Sequence, residues 1–260
     1  MIVKPLDDPG NKIVRHALRL LKSRSARDKT HQFVLEGPHL ALEALRAQAR
    51  VRAVLYSERL LERPDGATVL RELTGGHVRM LLVTDRLLDQ LSDVDTHQGI
   101  LTVADQVLPQ LERLTAEDWL LADGVQDPGN LGTMMRAAAA FGFRVGILPG
   151  TVDPFNPKVV RASAGTLFQA RLARIEWPAE WPDQLSLVAT DPRAPVSYDR
   201  LRWRRPVGLV VGNEAAGIAP ELRARANQAV SIPMEPAVES LNAGVAAAII
   251  MAHIYIGERA

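Results

Sequence analysis

The chain has 260 residues, of which 47% are hydrophobic and 23% charged, and its formal net charge is +1. This length suffices for one large domain or two ordinary ones, and the composition allows a substantial core. The chain contains no cysteine, which excludes disulfides, thiolate nucleophiles and zinc sites built on thiolates, and fits a reducing, cytoplasmic compartment.

No part of the sequence predicts a membrane segment. The first residues, MIVKPLDDPGNK, contain no apolar run of signal-peptide length, and the most apolar stretch, 243–252, is well below the roughly 20 residues needed to span a bilayer. We therefore expect a soluble protein. The six histidines are scattered, without the helical spacing of a metal-binding pair, so we expect no metal site.

Positive charge is concentrated at the start of the chain. Residues 1–30 carry eight Lys or Arg against three Asp, so this segment has a net charge of +5 and the remainder −4. A second basic cluster surrounds Trp203 and consists of Arg200, Arg202, Arg204 and Arg205. Such clusters can bind phosphates, and an interleaved aromatic ring suits stacking on unpaired bases. On charge alone, a solvated surface with ordinary ion pairs is the more common explanation of both clusters.

Alternating apolar segments predict a first α/β domain over residues 1–108. Its opening helix, about 12–25, has apolar residues spaced for one buried face. Strands are predicted at 33–37, 51–57, 78–84 and 99–106, separated by helical segments, the first of which covers 38–49. The stretch 106–115, with Pro109 and several charged residues, is the expected crossing between domains.

The alternation continues in a second domain over residues 116–260. Strands are predicted at 119–123, 144–150, 186–190, 207–212 and 229–234, and helices at 130–142, 157–168, 220–226 and 240–256. Strands that alternate with helices imply a mainly parallel sheet, with ligands bound where strand ends meet helix starts. The predicted fold is therefore α/β in both domains.

Three loops of the second domain follow strand ends: 121–142, 210–218 and 231–247. In the second loop, Gly212 and Gly217 have the spacing of a phosphate-binding loop, but the next two residues, Ile and Ala, stand where that motif needs Lys and Ser or Thr. No dinucleotide, serine-hydrolase or zinc-protease motif occurs in the chain. Hydrolase and metalloenzyme interpretations are therefore weak.

Five polar residues stand in these loops: Asn130, Arg136, Glu214, Ser240 and Asn242. Singly, each has a structural explanation. Asn130 or Ser240 could cap a helix, Arg136 could meet an acidic neighbour, and Glu214 could balance a helix start. Because all five occupy the same kind of position, a shared functional site is the better hypothesis.

The three loops resemble the signature blocks of the SpoU, or TrmH-type, RNA 2′-O-ribose methyltransferases of the SPOUT class. The blocks read DGVQDPGNLGTMMRAAAAFG, VVGNEAAGI and IPMEPAVESLNAGVAAAI, and the intervening NPKVVRASAGTLF is also similar to the family. Together they cover the chain from about residue 116 onward. The N-terminal part, through FVLEGPHLALEAL and THQGILTVA, resembles the L30e-like substrate-binding domain often fused to such enzymes.

The resemblance implies a SPOUT domain that ends in a deep trefoil knot, and a homodimer in which the cofactor lies close to the partner chain. It also implies S-adenosylmethionine as the cofactor, held by Thr190, Gly212, Ile232 and Leu241. These residue types suit the task, because glycine lets backbone approach the ligand closely and the two aliphatic side chains offer apolar walls.

The resemblance further implies that the acceptor of the methyl group is a ribose 2′-hydroxyl and that the five polar residues serve this reaction. Removing the proton from a guanidinium at neutral pH costs on the order of 8 kcal/mol. We therefore expect Arg136 to clamp the adjacent phosphate and orient the hydroxyl rather than act as a base. Asn130 and Ser240 would hold the sugar or the arginine, and Asn242 would order the cofactor loop. Glu214 would anchor the second loop, with a role as general base as its alternative.

RNA contacts are expected from Arg161, which matches a second family arginine, and from Lys22, Arg24 and Arg27 of the basic N-terminal segment. By family analogy alone, 23S ribosomal RNA is favoured over transfer RNA as the substrate. Two alternatives stay open. A non-catalytic RNA-binding or ribosome-associated protein would keep the fold without needing the polar set, and a nucleotide enzyme would use GNEAAG as an anion site but lacks its lysine.

Overall fold

The computed structural model describes residues 4–74, 78–92, 94 and 96–257, and the chain divides into two compact units. The first unit comprises Met1–Gln106 with Phe155–Arg161, and the second comprises Val107–Pro154 with Ala162–Ala260. Both units consist of strands and helices, as the alternating pattern predicts. Among the described residues, no helix is both long enough and apolar enough to span a bilayer.

The first unit contains a four-stranded mixed sheet in the order β1-β4-β2-β3. β4 is antiparallel to β1 and β2, whereas β2 and β3 are parallel. The strands are β1 (Gln32–Glu36), β2 (Val51–Tyr56), β3 (Arg79–Leu82) and β4 (Ile100–Asp105). The helices are α1 (Lys12–Lys22), α2 (Arg24–Thr30), α3 (Pro38–Arg46), α4 (Glu58–Leu61), α5 (Gly66–Leu73) and α6 (Asp85–Leu91). The four predicted strands are present.

Each face of this sheet has its own core. One core joins α1 and α6 to the sheet, for example through Leu20 and Leu88, and the other joins α3 and α5 through Ala41 and Val69. The opening helix is shorter than predicted, because Ser23 is extended and its side chain caps α2 by accepting a hydrogen bond from the next helix. The prediction of one helix through residue 25 was therefore wrong.

The second unit contains a seven-stranded sheet in the order β11-β9-β10-β6-β7-β8-β5. Every neighbouring pair is parallel, so the predicted mainly parallel sheet is confirmed. The strands are β5 (Gln110–Arg113), β6 (Trp119–Ala122), β7 (Arg144–Ile147), β8 (Leu172–Glu180), β9 (Ser186–Thr190), β10 (Val207–Val211) and β11 (Gln228–Val230). The helices of this unit are α7 (Pro128–Phe141), α9 (Pro220–Arg225) and α10 (Ala243–Gly257), with a 3-10 turn at Thr166–Phe168. The helix between α7 and that turn, α8 (Pro157–Ala162), belongs to the first unit up to Arg161.

The sequence pattern missed two strands of this sheet. β5 lies within the predicted crossing at 106–115 and pairs with β8. The helix predicted over 157–168 ends at Ala162, because Ala164 and Gly165 have φ values of 49° and 89°, and left-handed backbone cannot continue a right-handed helix.

The strand order creates a crevice at the carboxyl ends of β6 and β10. From β6 the chain runs outward through β7 and β8, then returns on the other side of β10 with β9 and β11. β6 and β10 are thus neighbours from opposite halves of the sheet, and their loops leave in different directions. In open parallel sheets, ligands bind at such a switch point.

Candidate active site

A cavity of about 970 Å³ lies at this switch point, and we call it the switch-point cavity. The loops that follow β9, β10 and β11 and the first turns of α7 and α10 line it. All four residues predicted to hold a cofactor line the cavity, together with four of the five predicted catalytic residues. These are Thr190, Gly212, Ile232 and Leu241, and Asn130, Glu214, Ser240 and Asn242.

The loop between β6 and α7 is tied to the loop after β10 by the Glu214 carboxylate. Its oxygens accept hydrogen bonds from the backbone N–H groups of Gln126 and Asp127, both at 3.2 Å, and from Asn130 Nδ2 at 2.7 Å. Burial acts to raise the pKa of Glu214, but these bonds outweigh it and the net pKa is below the ordinary value. A carboxylate already engaged in this way suits the predicted anchoring role better than the role of general base.

Asn130 stands at the centre of a chain of side-chain hydrogen bonds. Its Nδ2 donates to Glu214, and its Oδ1 accepts from Asn242 Nδ2 at 2.5 Å. Asn242 Oδ1 in turn accepts from the N–H of Val245 at 3.1 Å and so caps α10. The cap of α7 is Asp127, whose Oδ1 accepts from the Asn130 N–H at 2.8 Å. The capping roles considered for Asn130 and Ser240 were therefore wrong.

Ser240 is exposed at the rim of the cavity and its hydroxyl bonds to no described residue. Its hydroxyl is therefore available to a ligand.

Backbone approaches closely at Gly212. A Cβ added there would lie 2.4 Å from the carbonyl carbon of Gly217, far inside van der Waals contact, so only glycine fits. Thr190 Oγ1 donates to the Val210 carbonyl at 3.0 Å, which fixes the end of β9 beside β10. Ile232 and Leu241 are half-buried apolar side chains on the cavity wall.

Arg136 does not line the switch-point cavity. It lies six residues after Asn130 on α7, so an ideal helix places it about 9 Å further along the axis and about 120° around it. Its side chain is exposed and contacts no carboxylate of the described residues. The structural alternative considered for Arg136, an acidic neighbour, was therefore wrong.

The four predicted RNA-binding residues differ in accessibility. Lys22 and Arg24 are exposed, and Arg24 lies 3.6 Å from Asp28 across one helical turn. Arg161 belongs to the first unit and its Nη1 lies 3.3 Å from a Glu36 carboxylate oxygen.

Arg27 does not fit the prediction of an RNA contact. It is only 3% exposed, and its Nη1 donates to the Leu20 carbonyl at 2.6 Å. A cation that is buried and already bonded to backbone helps to hold α2 against α1, so the RNA-binding expectation for Arg27 was wrong.

Several other polar residues belong to the site, and no sequence pattern indicated them. Burial raises the pKa of Asp123, whose carboxylate accepts from the Ala219 N–H at 2.7 Å. Asn213 Nδ2 donates to the Gly124 carbonyl at 2.8 Å. On the cavity wall, Arg223 pairs with Asp191 at 2.8 Å. Most of these partners are about 90 residues apart in the chain, so no local pattern could reveal them.

A second, open cavity of about 1160 Å³ lies in the first unit and contains none of the predicted site residues. Several cations line it, but Arg52 already donates two hydrogen bonds to Asp105. Within the described residues there is no group of three or more His, Asp or Glu that could hold a metal ion.

Comparison with known proteins gives a consistent result for both parts of the chain. The SpoU rRNA Methylase family matches residues 119–252, and an MRM3-like substrate binding domain matches residues 11–102. The chain is 31% identical over 258 residues to the 23S rRNA (guanosine(2553)-2'-O)-methyltransferase RlmP of Bacillus subtilis, covering 97% of this chain and 99% of that protein.

Two further proteins are similar over most of their length. A 23S rRNA (uridine(2479)-2'-O)-methyltransferase of Streptomyces viridochromogenes is 29% identical, covering 89% of this chain and 85% of that protein. The crystal structure of an AdoMet-bound rRNA methyltransferase from Sinorhizobium meliloti has a TM-score of 0.83 and 26% identity, covering 98% of both chains.

Proposed function

Because this chain belongs to the SpoU rRNA Methylase family, we propose that it transfers a methyl group from S-adenosylmethionine to a ribose 2′-hydroxyl of ribosomal RNA. One observation carries the proposal. The switch-point cavity is lined by all four residues predicted to bind the cofactor and by four of the five predicted catalytic residues, which come from loops up to 112 residues apart.

The residues of the cavity fit this cofactor. Its volume of about 970 Å³ is at the upper end of the range for small-molecule sites. Ile232 and Leu241 would wall the adenine, and the bare backbone at Gly212 would let N–H and C=O groups reach its edge. When bound, S-adenosylmethionine supplies an already activated methyl group, so the protein has to position the acceptor and manage one proton.

The polar residues of the chain have separate tasks in this proposal. The Glu214 carboxylate and Asn242 fix the amide of Asn130 from both sides, so that Asn130 and the free hydroxyl of Ser240 can orient the ribose. The proton of the 2′-hydroxyl leaves to a phosphate oxygen or to water. Arg136 keeps its charge and clamps the phosphate beside the reacting sugar.

Because Arg136 does not line the cavity of its own chain, the proposed mechanism includes a second copy of the chain. α10 is apolar on all sides, yet Val245 and Ile256 are 43% and 62% exposed, and an apolar helix face of this kind suits a protein interface. We propose that two copies pair through this face and that Arg136 of one copy serves the cavity of the other. The trefoil knot expected for the second domain, residues 116–260, is part of the same proposal.

The N-terminal domain, residues 1–108, is proposed to bind the RNA substrate. Its match to an MRM3-like substrate binding domain supports this, and the 23S rRNA activities named for two relatives favour ribosomal over transfer RNA. Lys22 and Arg24 are accessible for RNA contacts, and Arg161 would have to leave Glu36 to make one. The place of action is then the cytoplasm, with the ribosomal RNA.

Two measurements test the proposed function. Calorimetric titration with S-adenosylmethionine should give saturable binding, and mapping of 2′-O-methyl groups in total RNA should lose one ribosomal site when the gene is deleted and regain it on complementation. No binding heat at high cofactor concentration, together with an unchanged methylation map, would favour a non-catalytic RNA-binding protein. Loss of a transfer RNA site instead would correct the substrate and leave the chemistry standing.

A further inference from the structure

The arginines of the second unit fall into two groups. Most bond to a carboxylate or to backbone, as Arg171 does with Glu117 and Arg225 with the Ala179 carbonyl. Among the residues that the structure describes in this unit, the three exceptions are Arg136, Arg202 and Arg204, whose side chains make no hydrogen bond, ion pair or ring contact. Exposed cations without an internal partner are available to an anion from outside.

Arg202 and Arg204 lie in a segment, residues 199–204, that we call the arginine loop. Its third arginine, Arg200, is 83% exposed and lies 4.0 Å from Asp199, at the limit of an ion pair. An exposed pair at that distance contributes little. The loop therefore presents three cations within five residues, and its one carboxylate, Asp199, accepts a hydrogen bond from the Ser197 hydroxyl.

Both ends of the arginine loop are anchored. Before it, the N–H of Tyr198 donates to the Ser231 carbonyl at 2.9 Å, and the Tyr198 ring meets the His253 ring edge-on at 5.1 Å. After it, the Arg205 guanidinium pairs with the buried carboxylate of Asp118. Anchoring lowers the entropy that would be lost when the loop binds a partner.

Trp203 holds the middle of the loop. Its ring is half-buried and its Nε1 donates to the Tyr198 carbonyl at 3.0 Å. The stacking on unpaired bases considered from the sequence would require this ring to be free. The structure gives it a supporting role instead, while the arginines on either side of it are exposed.

The arginine loop starts at the rim of the switch-point cavity. Ser231 lines the cavity, and its N–H donates to the carbonyl of Val196, in the segment just before the loop, at 2.9 Å. The next residue, Ile232, is one of the predicted cofactor residues. An RNA strand that enters the cavity would therefore pass close to the three cations.

We propose that Arg200, Arg202 and Arg204 form a phosphate-binding loop that holds the RNA strand beside the methyl-transfer cavity. The inference rests on the proposed function and adds an RNA contact made by the second unit itself, apart from the N-terminal domain. Arginine suits the role, because its planar guanidinium donates two parallel hydrogen bonds to a phosphate and is weakly hydrated. Such contacts hold the strand without reading its sequence.

The salt dependence of RNA binding tests the proposal. The probe is a fluorescein-labelled, single-stranded 20-nucleotide RNA of mixed sequence, and its Kd is measured by anisotropy at increasing KCl concentrations. The binding constant falls with salt, and for single strands each lost phosphate contact makes the negative slope of log K against log[KCl] shallower by about 0.7. The slope of the variant Arg202→Gln/Arg204→Gln should therefore be shallower than that of the unaltered protein by about 1.4.

The matched control is Arg171→Gln/Arg225→Gln, which removes the same charge from exposed arginines of the same unit whose guanidinium groups already have close partners, Glu117 at 2.8 Å and the Ala179 carbonyl at 3.2 Å. Its slope should equal that of the unaltered protein. In a methyl-transfer assay, Arg202→Gln/Arg204→Gln should raise KM for ribosomal RNA with little change in kcat, and its affinity for S-adenosylmethionine should be normal. Thermal unfolding confirms that both variants are folded.

Four results would overturn the phosphate-binding loop. The first three are an unchanged slope in the variant, an equal fall in the control, and a change of oligomeric state in sedimentation, which would assign the loop to a protein contact. The fourth is no binding of the probe by the unaltered protein at the lowest salt. Failure of the proposed function is a different outcome, because the protein would then bind no S-adenosylmethionine whatever the slope shows.

Discussion

At the scale of single residues, the site depends on one asparagine whose amide is held at both ends. Asn130 donates to Glu214, which is itself fixed by two backbone N–H groups, and accepts from Asn242, which is fixed by the first turn of α10. Reversing the amide of Asn130 would place oxygen against carboxylate and nitrogen against nitrogen. The network therefore specifies which atom of Asn130 faces each neighbour, and it joins three loops at the cavity.

Two substitutions of Asn242 distinguish its contribution to stability from its contribution to catalysis. Asn242→Asp keeps an acceptor for the Val245 N–H, so thermal stability should be near normal, but a carboxylate cannot donate to Asn130 Oδ1 and methyl transfer should fall at least 10-fold. Asn242→Ala loses the cap as well and should cost about 1 kcal/mol of stability. Thermal unfolding and initial rates of methyl transfer to ribosomal RNA measure both effects. A normal rate in Asn242→Asp would remove the network from the mechanism.

Local sequence patterns predicted which residues gather at the site but not what they bond to. Glu214 and Asn130 were correctly placed in loops that meet, because carboxyl ends of parallel strands share one edge. Their mutual hydrogen bond spans 84 residues, which no local spacing encodes. The cap of α7 could have been predicted from the local sequence, because proline favours the first position of a helix. Pro128 therefore indicates that the residue before it, Asp127, is the cap.

At the scale of elements, the turn after β10 depends on Gly212. Its added Cβ would meet the backbone of Gly217 at 2.4 Å, and backbone cannot swing aside as a side-chain end can. Gly212→Ala should therefore distort the loop and weaken S-adenosylmethionine binding at least 10-fold in calorimetry. The control is Gly208→Ala within β10, the strand that precedes this turn, where the added Cβ would meet Leu187 Cδ1 at 2.9 Å.

Gly208→Ala should lower stability through crowding in the core, by about 1–3 kcal/mol, and leave the cofactor affinity of the folded protein unchanged. Equal loss of affinity in the two variants would show that the effect is general destabilisation rather than a change in the loop.

Glu117 joins the amino-terminal ends of three strands and makes the second unit sensitive to acid. Its hydrogen bonds from Thr115 and Arg144, together with the charges of Arg144 and Arg171, lower its pKa to about 2 against the opposing effect of burial. A lowered pKa stabilises the folded state above the ordinary glutamate range near pH 4.5, and this contribution is lost as pH falls from there towards 2.

Glu117→Gln should therefore be less stable than the unaltered protein at pH 7, and the difference should shrink below pH 4.5. Because the side chain is 37% exposed, solvent screening reduces the expected difference to about 1 kcal/mol or less. Thermal unfolding at pH 7, 5 and 3.5 measures it. A difference that grows on acidification would contradict the sign of this pKa shift.

The elements themselves were predictable where one strand or helix carries its own pattern. The buried strands β6 and β10 read as short apolar runs between turn residues. β5 did not, because only one of its four residues is apolar and it lies at the edge of the sheet. β8 was missed because Glu176 and Pro178 interrupt its apolar residues. Edge strands receive fewer contacts and so leave a weaker signal in the sequence.

At the scale of the whole molecule, the parallel sheet followed from the alternation of strands and helices, but its strand order did not. The order depends on which strands pair across the chain, such as β6 with β10 about 90 residues later. That pairing creates the switch-point cavity, so the location of the site could be predicted only as a set of strand ends. The knot cannot be derived from periodicity either, and it stays a prediction of the family resemblance.

Arg136 gives the proposed dimer its sharpest test, because the residue lies outside the cavity of its own chain. Arg136→Ala should lose methyl transfer at least 100-fold and keep its affinity for S-adenosylmethionine, since positioning effects reach about 7 kcal/mol. Gly212→Ala should be inactive for the opposite reason, with its arginine intact and its cavity distorted. Each variant alone, as a homodimer, then lacks one half of every site.

A mixed dimer of these two variants, purified through two different affinity tags, distinguishes the possible arrangements. If Arg136 serves the cavity of the partner subunit, the Arg136→Ala chain contributes an intact cavity and the Gly212→Ala chain contributes the arginine. One of two sites is then complete, and roughly half of the normal activity should return. If Arg136 acts within its own chain, no site in the mixed dimer is complete and the activity stays at the level of the parent variants. Sedimentation of the unaltered protein as a monomer would remove the dimer itself, and with it the reason for placing Arg136 so far from its own cavity.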